Sequence, residues 1–236
     1  MAFEYWRGLS RATVLATMCM LAAGGALADT PTAPASPAAG ASAADAAPAL
    51  PAATTDVNGF RSATFGMSEA DVRAAIVKDF GVKPTAIISG QNAAERTQVL
   101  SVAVPDLLQG GGTAQVSYVF GYKSKTLIQI GVSWSRASDP KMTPDELYAD
   151  GDVLRSHFMT AGYQPASIKT GLVLPNGILL FRGEDASGHA TILILQGDFK
   201  AGADGKQRTL TPTALALLYS ADPQNPDVFK VAPGQF

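Results

Sequence analysis

The chain has 236 residues, 47% of them hydrophobic, and a formal net charge of -2, enough for a sizeable core in one or two ordinary domains. Beyond residue 56 the basic and acidic side chains balance at sixteen each. No clustered basic face of the kind nucleic acid requires is present, nor a Lys/Arg-rich amphipathic helix suited to an anionic membrane surface.

Residues 1–28 follow the order of a secretory signal. Arg7 and Arg11 precede an apolar run over 12–21, and Ala26-Leu27-Ala28 supplies small residues at the cleavage positions. The expectation is cleavage before Asp29 and a periplasmic or secreted protein. The apolar run is shorter than the roughly 20 residues of a spanning helix and is followed by Gly24-Gly25, so no membrane span is expected in the mature form. The single cysteine, Cys19, follows Met18, too bulky for the bond cleaved in a lipoprotein signal. Removing Cys19 with the signal leaves no disulfide, thiol nucleophile or cysteine metal ligand.

Residues 29–56 hold twelve Ala, five Pro and no Lys or Arg. The prolines interrupt helix repeatedly, and methyl-sized side chains cannot offset the entropy of ordering. This segment reads as a disordered, semi-extended linker leading to an α+β domain over 57–236.

Within that domain, Ser68 is a helix N-cap with Asp71 three residues on. Val72, Ala75, Ile76 and Phe80 recur at helical spacing before the Gly81 stop, which predicts a helix over 69–80. Strands are predicted over 97–104, 114–122 and 126–135. In the last, Ile128, Ile130, Val132 and Trp134 alternate with Gln129, Gly131, Ser133 and Ser135, the pattern of a sheet covered on one side. Residues 122–125 form the turn between the last two strands. The run Gly110-Gly111-Gly112 has no Lys-Ser/Thr pair after it and reads as a flexible loop. A second helix starts at Thr143 with Pro144 in its first position. Leu147, Gly151, Leu154, Phe158 and Ala161 mark one face, and Gly151 on that stripe predicts a close approach to the sheet. Strands follow over 168–174, 177–183, 190–196 and 209–220. The order is helix then strands, twice, over about 59–136 and 140–220. This suggests two consecutive helix-plus-antiparallel-sheet modules, each with its helix on one sheet face.

Gly66-Met67-Ser68, Val72 and Phe80-Gly81-Val82-Lys83-Pro84 resemble the opening of SmpA/BamE-like domains, where a capped helix ends in Gly before an antiparallel sheet. The tandem order is similar to the β-lactamase-inhibitor-type fold. The resemblance implies the fold and an envelope location. The chain departs from the envelope-assembly lipoproteins of that family in lacking a lipid-attachment cysteine and in carrying a second module.

No catalytic, cofactor-binding or metal-binding set stands out. His157 lies beside the apolar stripe of the second helix and reads as a boundary histidine. His189 closes the loop Glu184-Asp185-Ala186-Ser187-Gly188-His189, whose acids and imidazole fall short of a zinc set and suit a hairpin loop. Asp145, Glu146, Asp150 and Asp152 lack the pattern of a calcium loop and suit the start of a helix. No serine lies in a G-x-S-x-G elbow. These observations favour an exported, non-catalytic protein-binding or inhibitor-like module with an envelope protein as partner. The alternatives are a hydrolase with dispersed carboxylates or a carrier with an apolar pocket between helix and sheet.

Overall fold

The structure, a computed structural model, describes residues 53–201, 208–231 and 234. The expected signal, 1–28, and linker residues 29–52 lie outside the described residues. Thr54 and Thr55 both donate backbone N–H groups to the Gly162 carbonyl, at 2.8 and 3.2 Å, so the end of the predicted linker is fastened to the folded part.

A small hairpin opens the fold, with β1 at Gly59–Phe60 and β2 at Ala63–Thr64. Helix α1, Glu69–Phe80, has the predicted bounds. The Ser68 hydroxyl accepts the Asp71 N–H at 3.3 Å and donates to the Asp71 carboxylate at 2.6 Å. Asp71 thus holds the cap through its hydroxyl instead of reaching the Ser68 backbone as a longer Glu would. Gly81 ends the helix in the left-handed region, at φ 63°, with its N–H on the Val77 carbonyl, which glycine adopts without a Cβ clash.

Four strands follow as a meander: β3 (Ile88–Asn92), β4 (Thr97–Val104), β5 (Ala114–Phe120) and β6 (Leu127–Ser135). Helix α2, Pro144–Met159, starts with a reciprocal capping box between Thr143 and Glu146. A second meander then runs through β7 (Leu172–Leu174), β8 (Gly177–Glu184), β9 (Ala190–Ala201) and β10 (Arg208–Ser220). All pairs are antiparallel, and β3 to β10 form one eight-stranded sheet in the order β3-β4-β5-β6-β10-β9-β8-β7. The chain is therefore α+β, and its last strand pairs with β6 at the centre of the sheet.

Strand β3 is absent from the sequence expectation. Its residues, Ile-Ser-Gly-Gln-Asn, carry no alternation, and among the described residues it pairs only with β4. The segment predicted as a strand over 168–174 is a strand only at its end, because Pro165–Ser167 forms a 3-10 turn and Lys169 makes one isolated bridge to Arg182. Residues 221–231 form neither helix nor strand, yet they are packed. The Asp227 carboxylate accepts the N–H groups of Lys123 and Ser124, and the Asp227 carbonyl accepts that of Tyr122. The C-terminal segment thereby straps the β5–β6 turn.

One hydrophobic cluster takes in Val72, Ala75 and Ile76 of α1, Leu147 and Phe158 of α2, and Tyr118, Trp134, Phe181 and Leu215 of the sheet. By register, Ala114, Trp134, Leu215 and Leu195 stand in one row across β5, β6, β10 and β9. Both helices therefore bury their apolar sides on the same sheet face. At Gly151 an added Cβ would stand 2.8 Å from a Leu180 methyl, the close approach expected from the apolar stripe.

Candidate functional site

The histidines and acids singled out in the sequence do not converge. His157 is exposed on α2 with its ring edge-on to Phe158. His189 packs edge-on against Phe65, and its Nδ1 is 3.5 Å from Asp185 Oδ2. Asp185 is itself buried and organises the loop. One oxygen accepts the N–H groups of Ser187 and His189, and the other accepts that of Val57. Asp145 and Glu146 lie in the first turn of α2, where the helix dipole favours them, and Asp152 faces Arg155 at 3.6 Å on an exposed surface. Among the described residues no group of three His, Cys, Asp or Glu could hold a metal ion.

Asp150 is the exception. Only 8% of it is exposed, and its Oδ2 has no hydrogen-bond partner among the described residues. Burial, and to a lesser degree the charge of Glu146, push its carboxyl pKa upward. It is pressed against the glycine run, which is a tight loop and not the flexible one expected. The Asp106 N–H meets the Gly112 carbonyl, the Gly111 N–H meets that of Leu108, and the Asp106 carboxylate accepts the Gly110 N–H. Added Cβ atoms on Gly111 and Gly112 would stand 2.8 and 2.7 Å from carboxylate oxygens of Asp150 and Asp139. The glycines are needed for two acids to lie on the backbone. Asp139 accepts the N–H groups of Thr113 and Lys141, which hold its carboxyl pKa down. The sequence signal was a triple glycine placed between strands, but nothing local says which acids it meets.

The side of the sheet that carries no helix among the described residues, called the helix-free side below, is the larger feature. Residues alternate faces along a strand, so Ser101, Ser117, Gly131, Leu218 and Ile192 form one row across β4, β5, β6, β10 and β9. The adjacent row carries Gln115, Ser133, Ala216, Ile194 and Leu179. No Asp, Glu, Lys or Arg stands on this face over β3, β4, β5, β6 and β10; the charges on it are Asp198 and Lys200 at the far end of β9, and Arg182 and Glu184 on β8, which pair with each other. Leu179, Ala190 and Ile192 are buried in their own cluster with Leu174, Ile194 and Leu218. The face is thus neutral and small-polar over β4–β6 and apolar over β8–β10.

On the opposite, helix-covered side, a cavity of about 180 Å³ lies over the β6–β10 pair. Its floor is Val132, Trp134, Leu217 and Tyr219, and its lining includes no carboxylate. The buried Asp150 and the half-buried Glu95 are not among its lining residues.

Comparison with protein-family models, with curated proteins and with solved structures gave no match.

Proposed function

We propose that this chain is an exported, non-catalytic module that binds an envelope protein through the helix-free face of its sheet. The observation that carries the reading is a stretch of this face across five adjacent strands, β3, β4, β5, β6 and β10, without one charged side chain. The central part of protein interfaces is depleted of charge, whereas an ordinary solvated surface is not. A matching partner is itself uncharged at the contact. It is apolar where it meets Ile192, Ile194 and Leu218, and it hydrogen-bonds where it meets Gln115, Gln129 and Ser133.

The two-module reading supports this proposal. Each helix precedes a four-stranded meander, and joining the meanders through β6 and β10 makes one face from both. The resemblance to SmpA/BamE-like and β-lactamase-inhibitor-type domains is consistent with an inhibitor-like role in the envelope.

The test is a photo-crosslinking residue placed at Ser133 on the free face, with a second at the exposed Asp152 on α2 as control. The reading expects one adduct of constant added mass from Ser133 only, lost when Leu218→Arg puts a charge into the face. No adduct, or one from both positions alike, overturns it. Mass spectrometry of the exported chain should find Asp29 at its start; an intact Met1 refutes cleavage.

A further inference from the structure

We propose that the cavity over the β6–β10 pair binds a small amphipathic anion, an apolar group of about the size of a benzene ring carrying one carboxylate at the cavity mouth. Aromatic and aliphatic side chains make up the interior: Trp134 and Tyr219 from the sheet, Phe60 from β1, Leu108 from the β4–β5 loop, and Leu154 and Phe158 from α2. The space is open to solvent on one side, and its volume of about 180 Å³ exceeds the ~150 Å³ of a closed apolar cavity that holds a benzene molecule, so one ring fits with its substituent left in water. The Trp134 indole N–H is buried and has no hydrogen-bond partner among the described residues, and the face of an aromatic ring is an acceptor for such an N–H.

The charge at the mouth selects an anion. Arg61 and His157 are the two lining residues that carry nitrogen donors to the surface, and both are exposed. Arg61 is held there at some cost, with its backbone in the left-handed region at φ 55°, which side chains other than glycine rarely occupy. Its guanidinium lies 4.8 Å from the centre of the Phe80 ring and donates to the Asp79 carbonyl at 3.0 Å. The Asp79 carboxylate accepts the Ser62 N–H at 2.9 Å, so the hairpin tip is locked to the end of α1 with Arg61 at the mouth. This site lies on the opposite side of the sheet from the proposed protein-binding face and stands independently of it.

The probes are 3-phenylpropanoate, its neutral alcohol 3-phenylpropan-1-ol and its cation 3-phenylpropylamine, titrated calorimetrically into the chain as its host produces it. The acid should bind and the alcohol should bind about tenfold more weakly, the worth of one charge-assisted hydrogen bond at an open mouth. The amine should give no binding heat. Arg61→Gln should bring the acid down to the alcohol's affinity and leave the alcohol unchanged. In a ¹⁵N-labelled sample the acid should shift the indole N–H resonance of Trp134, the one tryptophan beyond the expected signal, which places the ligand at Trp134 without altering the cavity. Equal affinity for all three probes, no binding of the acid, or binding with the Trp134 resonance unmoved overturns the proposal.

Discussion

Substituting Gly111 by Ala tests the contact between the β4–β5 loop and α2. The new Cβ would stand 2.8 Å from Asp150 Oδ2, 3.1 Å from Leu108 Cβ and 3.2 Å from Asp150 Oδ1. Overpacking of this kind costs about 1–3 kcal/mol, and the loss of glycine's unfolded-state freedom offsets about 0.4–1 kcal/mol of it. The net cost expected is about 1–2 kcal/mol. In a domain of this size each kcal/mol moves the melting temperature by about 2–4 °C. Because two of the three close contacts are with one carboxylate, Asp150→Ala should remove most of the penalty, leaving a coupling of about 1 kcal/mol in a double-mutant cycle measured by urea denaturation. The same cycle has a pH signature. The folded state raises the Asp150 pKa above its unfolded value near 3.8, so this carboxyl costs no stability below that pH. Its penalty grows as pH rises through the folded value. The gain from Asp150→Ala should therefore be small at pH 3.5 and larger at pH 7. An additive cycle, or a gain that shrinks with rising pH, would refute the placement of Asp150 against Gly111.

Three further outcomes follow from buried or clamping polar groups. Tyr163→Phe breaks the buried 2.7 Å hydrogen bond to Thr191 Oγ1 and should cost about 1 kcal/mol, while the pair Tyr163→Phe with Thr191→Val should cost less than the sum of the two single changes; additive single costs in chemical denaturation would count against the bond. Asp185→Ala strips the acceptor from three backbone N–H groups, those of Val57, Ser187 and His189, and should cost about 2–3 kcal/mol, with faster amide exchange at Val57; a loss under about 0.5 kcal/mol would contradict it. The Asp227 carboxyl pKa is lowered, first by the Ser124 N–H bond, so its contribution is in place above the unfolded pKa and is lost as pH falls toward the folded value. Asp227→Ala should thus destabilise at pH 7 and differ less from the parent at pH 3, read by thermal melts at both.

What the sequence made legible was local. Ser68, Gly81 and the Thr143-Pro144 pair mark helix ends because a cap acts within one turn, and α1 begins and ends where those residues place it. The alternation over β6 announces a one-sided sheet because each residue's face is set by its neighbours. Strand β3 escaped because an edge strand with a central glycine needs no alternation, and among the described residues its only partner is β4. Asp150 escaped for a different reason. Four acids near a helix start read alike, and only the loop over 105–113, folded back on α2, buries one of them. Arg61 carried no signal at all, since its place at the cavity mouth depends on the end of α1, eighteen residues away.

The β6–β10 pairing explains both candidate surfaces at once. It sets Val132 beside Leu217 and Trp134 beside Leu215 on one side, and Gly131 beside Leu218 and Ser133 beside Ala216 on the other. On the helix side, α2 lies over β8, β9 and β10, whereas α1 reaches the far edge, where Arg73 hydrogen-bonds Ser89 of β3. The helices leave the seam between them, and Phe60 and Arg61 of the β1–β2 hairpin with Leu107 and Leu108 flank it, which leaves a half-open cavity there. On the other side the small seam residues leave a broad neutral surface. The protective features of this sheet sit at its edges, where β7 has three residues and β3 five, because short edge strands discourage strand addition from another chain. Short edges together with a charge-free middle of the widest face suit the face-on contact proposed above, and that asymmetry is the physical reason to look for the partner on the flat of the sheet and not along its rim.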